Sequence, residues 1–399
     1  MTLANDIPSL PSETNLSFLA EGAANIVYRI HSPSPASSPI SPTTSSSYDF
    51  FSITTPPPTE ITPPPLPTSN AAQYEGQLLR LRKHTPARTT SVSDSYAHFN
   101  TLITPLFAPS QLVQSQLIRL PPSILARENA TLKALEAEGG RDRKRHGVYL
   151  DEGEGYGTLV TDMTAHPSNT TPLFQAAHLP EEALEFKPKW LIQSPTAPEG
   201  STWCRTCALH ALRSRPKQQL NHGVEKLEGT AGAGAGVTPF YCPLKLVSTH
   251  NKDVEEAVNG IVATQLAIKG TEDGAISPAA RTRVVHELYQ NELLLWLMEL
   301  QREYDTRGVL KGDVDEKVLV AMAIRDCTFY LKVPKDPALP VEARLGDLDL
   351  KPASQEKVRY WRETELELIE AGWYMPDSSS TDVVREREGN GCFLASSGT

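Results

Sequence analysis

The sequence predicts an α+β protein of two lobes, an antiparallel-sheet N-lobe followed by a larger mixed C-lobe. Three observations predict it. At 399 residues the chain is too long for one small core. Its first part holds short runs with the two-residue alternation of half-buried strands. Its later part holds longer apolar stretches at helical spacing, interrupted by the β-prone run Phe329-Tyr330-Leu331-Lys332-Val333. The expected bounds are 1–160 for the N-lobe, 161–377 for the C-lobe and 378–399 for a flexible tail.

In the N-lobe, Phe18 and Leu19 end one expected strand, and Ile26, Tyr28 and Ile30 alternate as a second. The turn between them is Glu21-Gly22-Ala23-Ala24-Asn25, whose small residues would let backbone approach a ligand's phosphates. Residues 31–73 are dominated by Pro, Ser and Thr, and are expected to be a disordered insertion, because such a tract cannot bury enough apolar surface to offset ordering entropy. In Gln77–Lys83, Leu79 and Leu81 alternate with Arg80 and Arg82, which gives a strand with one basic face. Pro121-Pro122-Ser123 opens a helix whose stripe includes Ile124, Leu125, Leu132 and Leu135. A basic loop at 139–146 follows, then a buried strand from Gly157 that ends near Asp162, a candidate hinge.

The C-lobe opens with Ala183–Trp190, in which Pro188 keeps the backbone extended and sets Lys187 and Lys189 on one edge. Two ammonium groups on one edge suit a phosphorylated ligand. Cys204-Arg205-Thr206-Cys207 and His210 come next. A C-x-x-C can begin a zinc site, with Cys242 and His222 as candidate partners, but the pattern is read here as cysteines packing at a helix start. The GTAGAGAGV stretch at 229–237 lacks the strand and helix that a dinucleotide fingerprint needs, and reads as a loop. Helices are expected at 254–270, 281–304, 316–325 and 357–373, the last with Val358, Trp361, Leu366 and Ile369 inward.

Composition excludes several classes. The chain carries 38 basic and 48 acidic residues, net −10, a poor balance for a general nucleic-acid binder. It has no apolar run long enough to span a bilayer, and its first residues lack the basic and apolar regions of a signal peptide. Five cysteines at irregular spacing argue against a disulfide framework. A monomer in cytoplasm or nucleus, without nucleic-acid or membrane partners, is the expectation.

The acidic landmarks are Ile324-Arg325-Asp326-Cys327-Thr328 and Gly346-Asp347-Leu348-Asp349-Leu350-Lys351-Pro352. The layout is helix, Asp, strand, turn, strand, Asp-x-Asp-x-Lys. Phosphoryl transfer uses such parts: one carboxylate to orient or deprotonate a hydroxyl, others for magnesium, and a lysine for the developing charge.

Together, EGAANIVYRI, LLRLRK, EFKPKW, CPLKL, AIRDCTF and GDLDLKP resemble the inositol-pentakisphosphate 2-kinases, in order and over Phe18 to Trp373, with the insertions of a fungal-type member. The resemblance implies a two-lobed inositol-phosphate kinase fold distantly similar to protein kinases. It implies ATP and Mg2+ as cofactors and phosphorylation of the 2-hydroxyl of inositol 1,3,4,5,6-pentakisphosphate. It gives Asp326 the substrate hydroxyl, Asp347 and Asp349 the magnesium, and Lys351, Lys187 and Lys189 the inositol phosphates, with Arg205 and His210 as further substrate candidates. Asp326, Asp347 and Lys351 thus form the catalytic set. Gly22, Ala23, Ala24 and Asn25 form the phosphate-covering turn, Arg82 or Arg80 the nucleotide cation, and Asp162 the hinge. The Cys/His zinc cluster of plant relatives precedes the catalytic aspartate, where this chain has no cysteine pair, so the resemblance implies no zinc. A kinase for another inositol phosphate and a non-catalytic inositol-phosphate scaffold are the alternatives.

Overall fold

The computed structural model describes residues 7–31, 74, 76–85, 90–164, 181–214, 239–269, 276–350, 354–375 and 391–396. The chain is α+β and divides into two compact units, 1–93 with 114–162, and 94–113 with 163–399. Residues 31–73 contribute only His31 to the description, and Lys351, His222 and the 229–237 loop lie outside it.

The first unit is built on a five-stranded antiparallel sheet. In chain order its strands are β1 (Asn15–Glu21), β2 (Asn25–His31), β3 (Gln77–Arg82), β4 (Ser115–Arg119) and β5 (Tyr156–Thr161). In space they run β1-β2-β3-β5-β4. Register pairs Tyr28 with Leu79 and Asn25 with Arg82. The short helix α1 (Val92–His98) continues through a π-helical turn, Phe99–Ile103, within residues that belong to the second unit. Helix α2 (Pro122–Ala137) starts on Pro122, where a missing N–H costs nothing. Its Ile124, Leu125 and Leu132 pack with Ile26, Leu79, Leu81, Ile118 and Leu159 of the sheet.

Two expectations need correction here. β3 does not present a solvated basic face, because Arg82 is buried and donates from Nη1 to Thr90 O at 2.5 Å. The 139–146 stretch is more than a basic loop, since Arg141 is buried and forks onto Glu21 at 2.7 and 3.0 Å.

The second unit contains the antiparallel sheet β6 (Glu181–Phe186), β7 (Thr328–Pro334) and β8 (Glu342–Gly346), in that spatial order. Around it stand α3 (Arg205–Arg213), α4 (Asn251–Lys269), α5 (Pro278–Leu288), α6 (Glu292–Tyr304), α7 (Glu316–Asp326) and α8 (Gln355–Glu370). One core cluster joins Phe186, Val258, Ile261, Leu294, Leu297, Ile324, Phe329 and Leu331.

Three differences from expectation have local causes. The helix predicted over 281–304 is two helices. Gln290 takes a left-handed φ of 55°, and Asn291 then caps α6 by accepting from Leu293 N and Leu294 N at 3.1 Å each. In α8 Leu366 faces out while Glu365 is fully buried beside Trp361 and Leu368, so the inward stripe is centred on a charge. In the expected flexible tail, 391–396 pack into the second unit: Cys392 is buried, and a helical turn, Phe393–Ser396, follows it.

Candidate active site

The second unit contains a cavity of about 760 Å³ whose wall draws on β6 and the residues after it, α3, the 239–243 loop, α4, α7, β7 and α8. Its acidic centre forms at the end of α7. Asp315 caps that helix, accepting from Val318 N at 3.0 Å, and the helix delivers Asp326 at its last turn. Lys187 and Lys189 converge there. Lys189 Nζ donates to Asp326 Oδ1 at 3.0 Å, while Lys187 Nζ lies 3.7 Å from the same oxygen and donates to Asp326 O at 2.6 Å.

The expected extended edge is not what joins the two lysines. β6 ends at Phe186, and Lys189 adopts a left-handed φ of 58°. Lys187 is fixed from its other end, because Tyr241 Oη donates to its carbonyl at 2.5 Å. Lys189 O accepts from Gln301 Nε2 of α6 at 2.9 Å, and Gln301 is wholly buried.

Asp347 follows β8 and also lines the cavity. Its φ is 55°, a left-handed conformation that Asp tolerates better than most residues. Thr328 Oγ1 donates to its Oδ2 at 2.8 Å. Thr328 and Gly346 are register partners, which brings the carboxylate to the strand that begins two residues after Asp326. Gly346 has no room for a side chain: a Cβ there would sit 2.9 Å from the Tyr330 ring. Asp349 lies two residues beyond Asp347, past the buried Leu348. Burial pushes the Cys327 thiol up to about 12, so the residue between Asp326 and Thr328 stays protonated and inert.

Arg205 and His210 line the cavity as expected, though neither is loosely held. Arg205 is 6% exposed, and its Nε donates to Glu365 Oε2 at 2.7 Å. Glu365 Oε1 accepts from Ser194, Thr196 and Tyr374 at 2.6, 2.7 and 2.8 Å. The guanidinium groups of Arg205 and Arg325 lie over Trp190 at 4.5 and 3.5 Å from its centroid. Arg325 also pairs with the buried Asp305 at 2.6 Å. His210 stacks on Phe240 at 4.1 Å, and burial, then the charge of Arg213, lowers its pKa.

Among the polar lining residues missed from sequence are Arg213, Lys357 and Tyr360. Arg213 is three residues beyond His210 on α3, the same helical face, so its signal was present. It donates from Nη2 to Tyr360 Oη at 2.8 Å. Lys357 lies over the Tyr360 ring at 5.5 Å, and nothing in the sequence pairs these α8 residues with α3.

The remaining expected site residues that the structure describes belong to the first unit. Gly22, Ala23 and Ala24 form the β1–β2 turn, closed by Gly22 N donating to Asn25 O at 2.9 Å. Asn25 is the register partner of Arg82, and Arg80 that of Val27. One cation that reaches the turn, Lys83, was passed over by sequence reasoning. Its Nζ donates to Gly22 O at 3.0 Å and to Glu21 Oε1 at 2.8 Å. Asp162 is buried and accepts from Arg29 Nη1 at 2.8 Å.

The cavity gathers cationic side chains around two fixed carboxylates, as a site handling a phosphorylated small molecule requires. Comparison with known proteins takes the assignment further. The inositol-pentakisphosphate 2-kinase family model matches residues 18–367. A protein of Yarrowia lipolytica named inositol-pentakisphosphate 2-kinase is 29% identical over 328 residues, covering 79% of this chain and 88% of that protein. The chain belongs to the inositol-pentakisphosphate 2-kinase family.

Proposed function

We propose that this chain transfers the γ-phosphoryl group of ATP to the 2-hydroxyl of inositol 1,3,4,5,6-pentakisphosphate, giving inositol hexakisphosphate. The observation that carries this reading is the convergence of Lys187 and Lys189 on Asp326 inside a cavity also lined by Arg205, Arg213 and Lys357. Membership of the family supports it independently.

In this reading Asp326 accepts the proton of the attacking hydroxyl, and the flanking ammonium groups hold the adjacent phosphates so that the hydroxyl faces the carboxylate. Arg205, Arg213 and Lys357 bind further phosphates, and Lys351 belongs with them by its place in the Asp-Leu-Asp-Leu-Lys-Pro motif. Asp347 and Asp349 offer hard carboxylate oxygens two residues apart, a donor set that fits magnesium, whose bound charge would offset that of the nucleotide phosphates. Gly22, Ala23, Ala24 and Asn25, with Arg80 and Arg82, are assigned to the nucleotide phosphates, and Asp162 to adenine. A two-lobed fold distantly similar to protein kinases, in cytoplasm or nucleus, completes the reading.

The test is incubation with ATP, Mg2+ and inositol 1,3,4,5,6-pentakisphosphate, with products resolved by anion exchange. A hexakisphosphate product is expected, formed about 10²–10⁴-fold more slowly by Asp326→Asn, while that variant still binds nucleotide. Wild-type protein that binds both ligands without turnover would refute the catalytic reading in favour of a scaffold. An Asp326→Asn variant with undiminished turnover would refute the role of that carboxylate.

A further inference from the structure

Two pairs of chain neighbours meet at the acidic centre. Lys189 and Asp326 touch through Nζ and Oδ1 at 3.0 Å. The residue after Lys189, Trp190, meets the residue before Asp326, Arg325, whose guanidinium carbon lies 3.5 Å from the centre of the indole ring. Trp190 and Arg325 are both buried. The same two short segments are therefore joined twice, once by a charge contact in the cavity and once by a buried stack.

One helix holds both halves of the stack. Gln301 of α6 is wholly buried and brackets Trp190, donating from Nε2 to Lys189 O and accepting at Oε1 from Leu191 N, each at 2.9 Å. Four residues on, Asp305 ends α6 and accepts from Arg325 Nη1 at 2.6 Å. Its other oxygen accepts from Gly308 N at 2.8 Å. The four-residue spacing sets Gln301 and Asp305 on one side of the helix.

The ion pair alone does not explain how Arg325 lies. A guanidinium kept for a carboxylate commonly turns its fork to it through two parallel N–H bonds. Here Nη1 reaches Asp305, while the buried Nε and Nη2 meet no acceptor among the described residues. The side chain forgoes those bonds and lies on the ring, as the attraction between a desolvated cation and an indole face favours. Burial brings its pKa down to about 10, so it stays charged at neutral pH. Arg205 lies over the same ring, 4.5 Å from its centre.

We propose that Trp190 and Arg325 are positioning residues for the transfer. Their stack fixes the Lys189 backbone against the last turn of α7, and so holds Asp326 where a substrate hydroxyl can reach it. Trp190 also steadies Arg205. One ring thus serves the rate through Arg325 and substrate binding through Arg205. This role rests on the reading of Asp326 as the group that takes the hydroxyl proton.

The test is a double-mutant cycle on the full chain. Single-turnover rates and steady-state KM values are measured on protein shown by thermal melting to be folded. Arg325→Lys keeps a charge opposite Asp305 but has no plane to stack. It should lower the transfer rate about 10- to 100-fold, with the KM for inositol pentakisphosphate within about twofold of wild type. In the Asp326→Asn background the same change should cost less than about twofold, because the group being positioned is gone. Trp190→Leu leaves the Arg325–Asp305 pair in place and should both lower the rate and raise KM. Trp190→Phe keeps a ring and should restore most of the rate. A loss of folded protein lowers the rate by the same factor in both backgrounds. Equal factors beside a slow Asp326→Asn would therefore overturn the positioning role alone, as would wild-type rates in Arg325→Lys or Trp190→Leu. Undiminished turnover by Asp326→Asn would remove the role of the carboxylate, and this one with it.

Discussion

At the scale of single residues, Glu365 is the group whose loss should cost most. It is fully buried, holds Arg205 and accepts from three hydroxyl groups. Burial pushes its pKa up, but the Arg205 charge and the hydroxyls of Ser194, Thr196 and Tyr374 outweigh that and hold it below the ordinary 4.5. The folded state therefore binds this proton at lower pH than the unfolded chain does. The stabilisation is fully present above about 4.5 and is lost as pH falls through the lower folded value. Glu365→Gln leaves Arg205 buried without its counter-charge, so an unfolding cost of about 3–5 kcal/mol is expected near neutral pH, with a flatter acid limb. Denaturant titrations of both proteins at pH 7 and pH 4 measure it, and equal stability at pH 7 would contradict the assignment. Sequence could not disclose this residue, because a Glu in the charged run Arg362-Glu363-Thr364-Glu365-Leu366-Glu367 looks like one more solvated charge. Asp326, Lys187 and Lys189 were legible, since their motifs fix local spacing. Lys83 was not, because its ammonium turns back on Gly22 and Glu21 across a strand pair that only register defines.

At the scale of elements, the close approach of α4 to the 239–243 loop controls part of the cavity wall. A Cβ on Gly260 would lie 2.8 Å from Phe240 O and 2.8 Å from Tyr241 Cβ. Both atoms belong to a segment that positions Lys187 through Tyr241 Oη. Gly260→Ala would gain about 1 kcal/mol of helix propensity, but overpacking of this kind costs about 1–3 kcal/mol. A lowered unfolding midpoint and a raised KM for the inositol phosphate, with kcat less affected, are expected from thermal melts and steady-state rates. A midpoint above wild type would show that the loop yields freely. Helical spacing located α4, α7 and α8 well, because a one-sided apolar stripe is a local signal. It failed between α5 and α6. The apolar surface continues across Tyr289-Gln290-Asn291, and only the left-handed Gln290 and the Asn291 cap reveal the break.

At the scale of the whole molecule, a chain of net charge −10 gathers Lys187, Lys189, Arg205, Arg213 and Lys357 around one cavity. Folding, and not composition, creates that positive field, which is why the charge total hid it. No helix among the described residues is long and apolar enough to cross a membrane. Raising ionic strength from about 0.01 M to about 0.15 M shortens the Debye length from about 30 to about 8 Å. The KM for inositol pentakisphosphate should rise several-fold over that range, and more steeply in wild type than in the Lys187→Ala, Lys189→Ala double variant. Steady-state assays across a salt series test this, and parallel slopes would remove those lysines from the binding field. The α+β class was readable from periodicity alone. The closure of the C-terminal segment was not, since Cys392 stands alone in a polar stretch and only the fold packs it with Cys204, Cys207 and Cys242.

Trp190 carries two guanidinium groups over its ring and forms part of the cavity wall. An indole in that position is a natural optical probe. A polyanion that draws Arg205 or Arg325 even slightly away from the ring changes the electric field across it, and its emission will report occupancy without any added dye. Titrating inositol pentakisphosphate into wild-type protein should shift the emission maximum or intensity saturably, and Trp190→Phe should remove most of the change while the other four tryptophans remain.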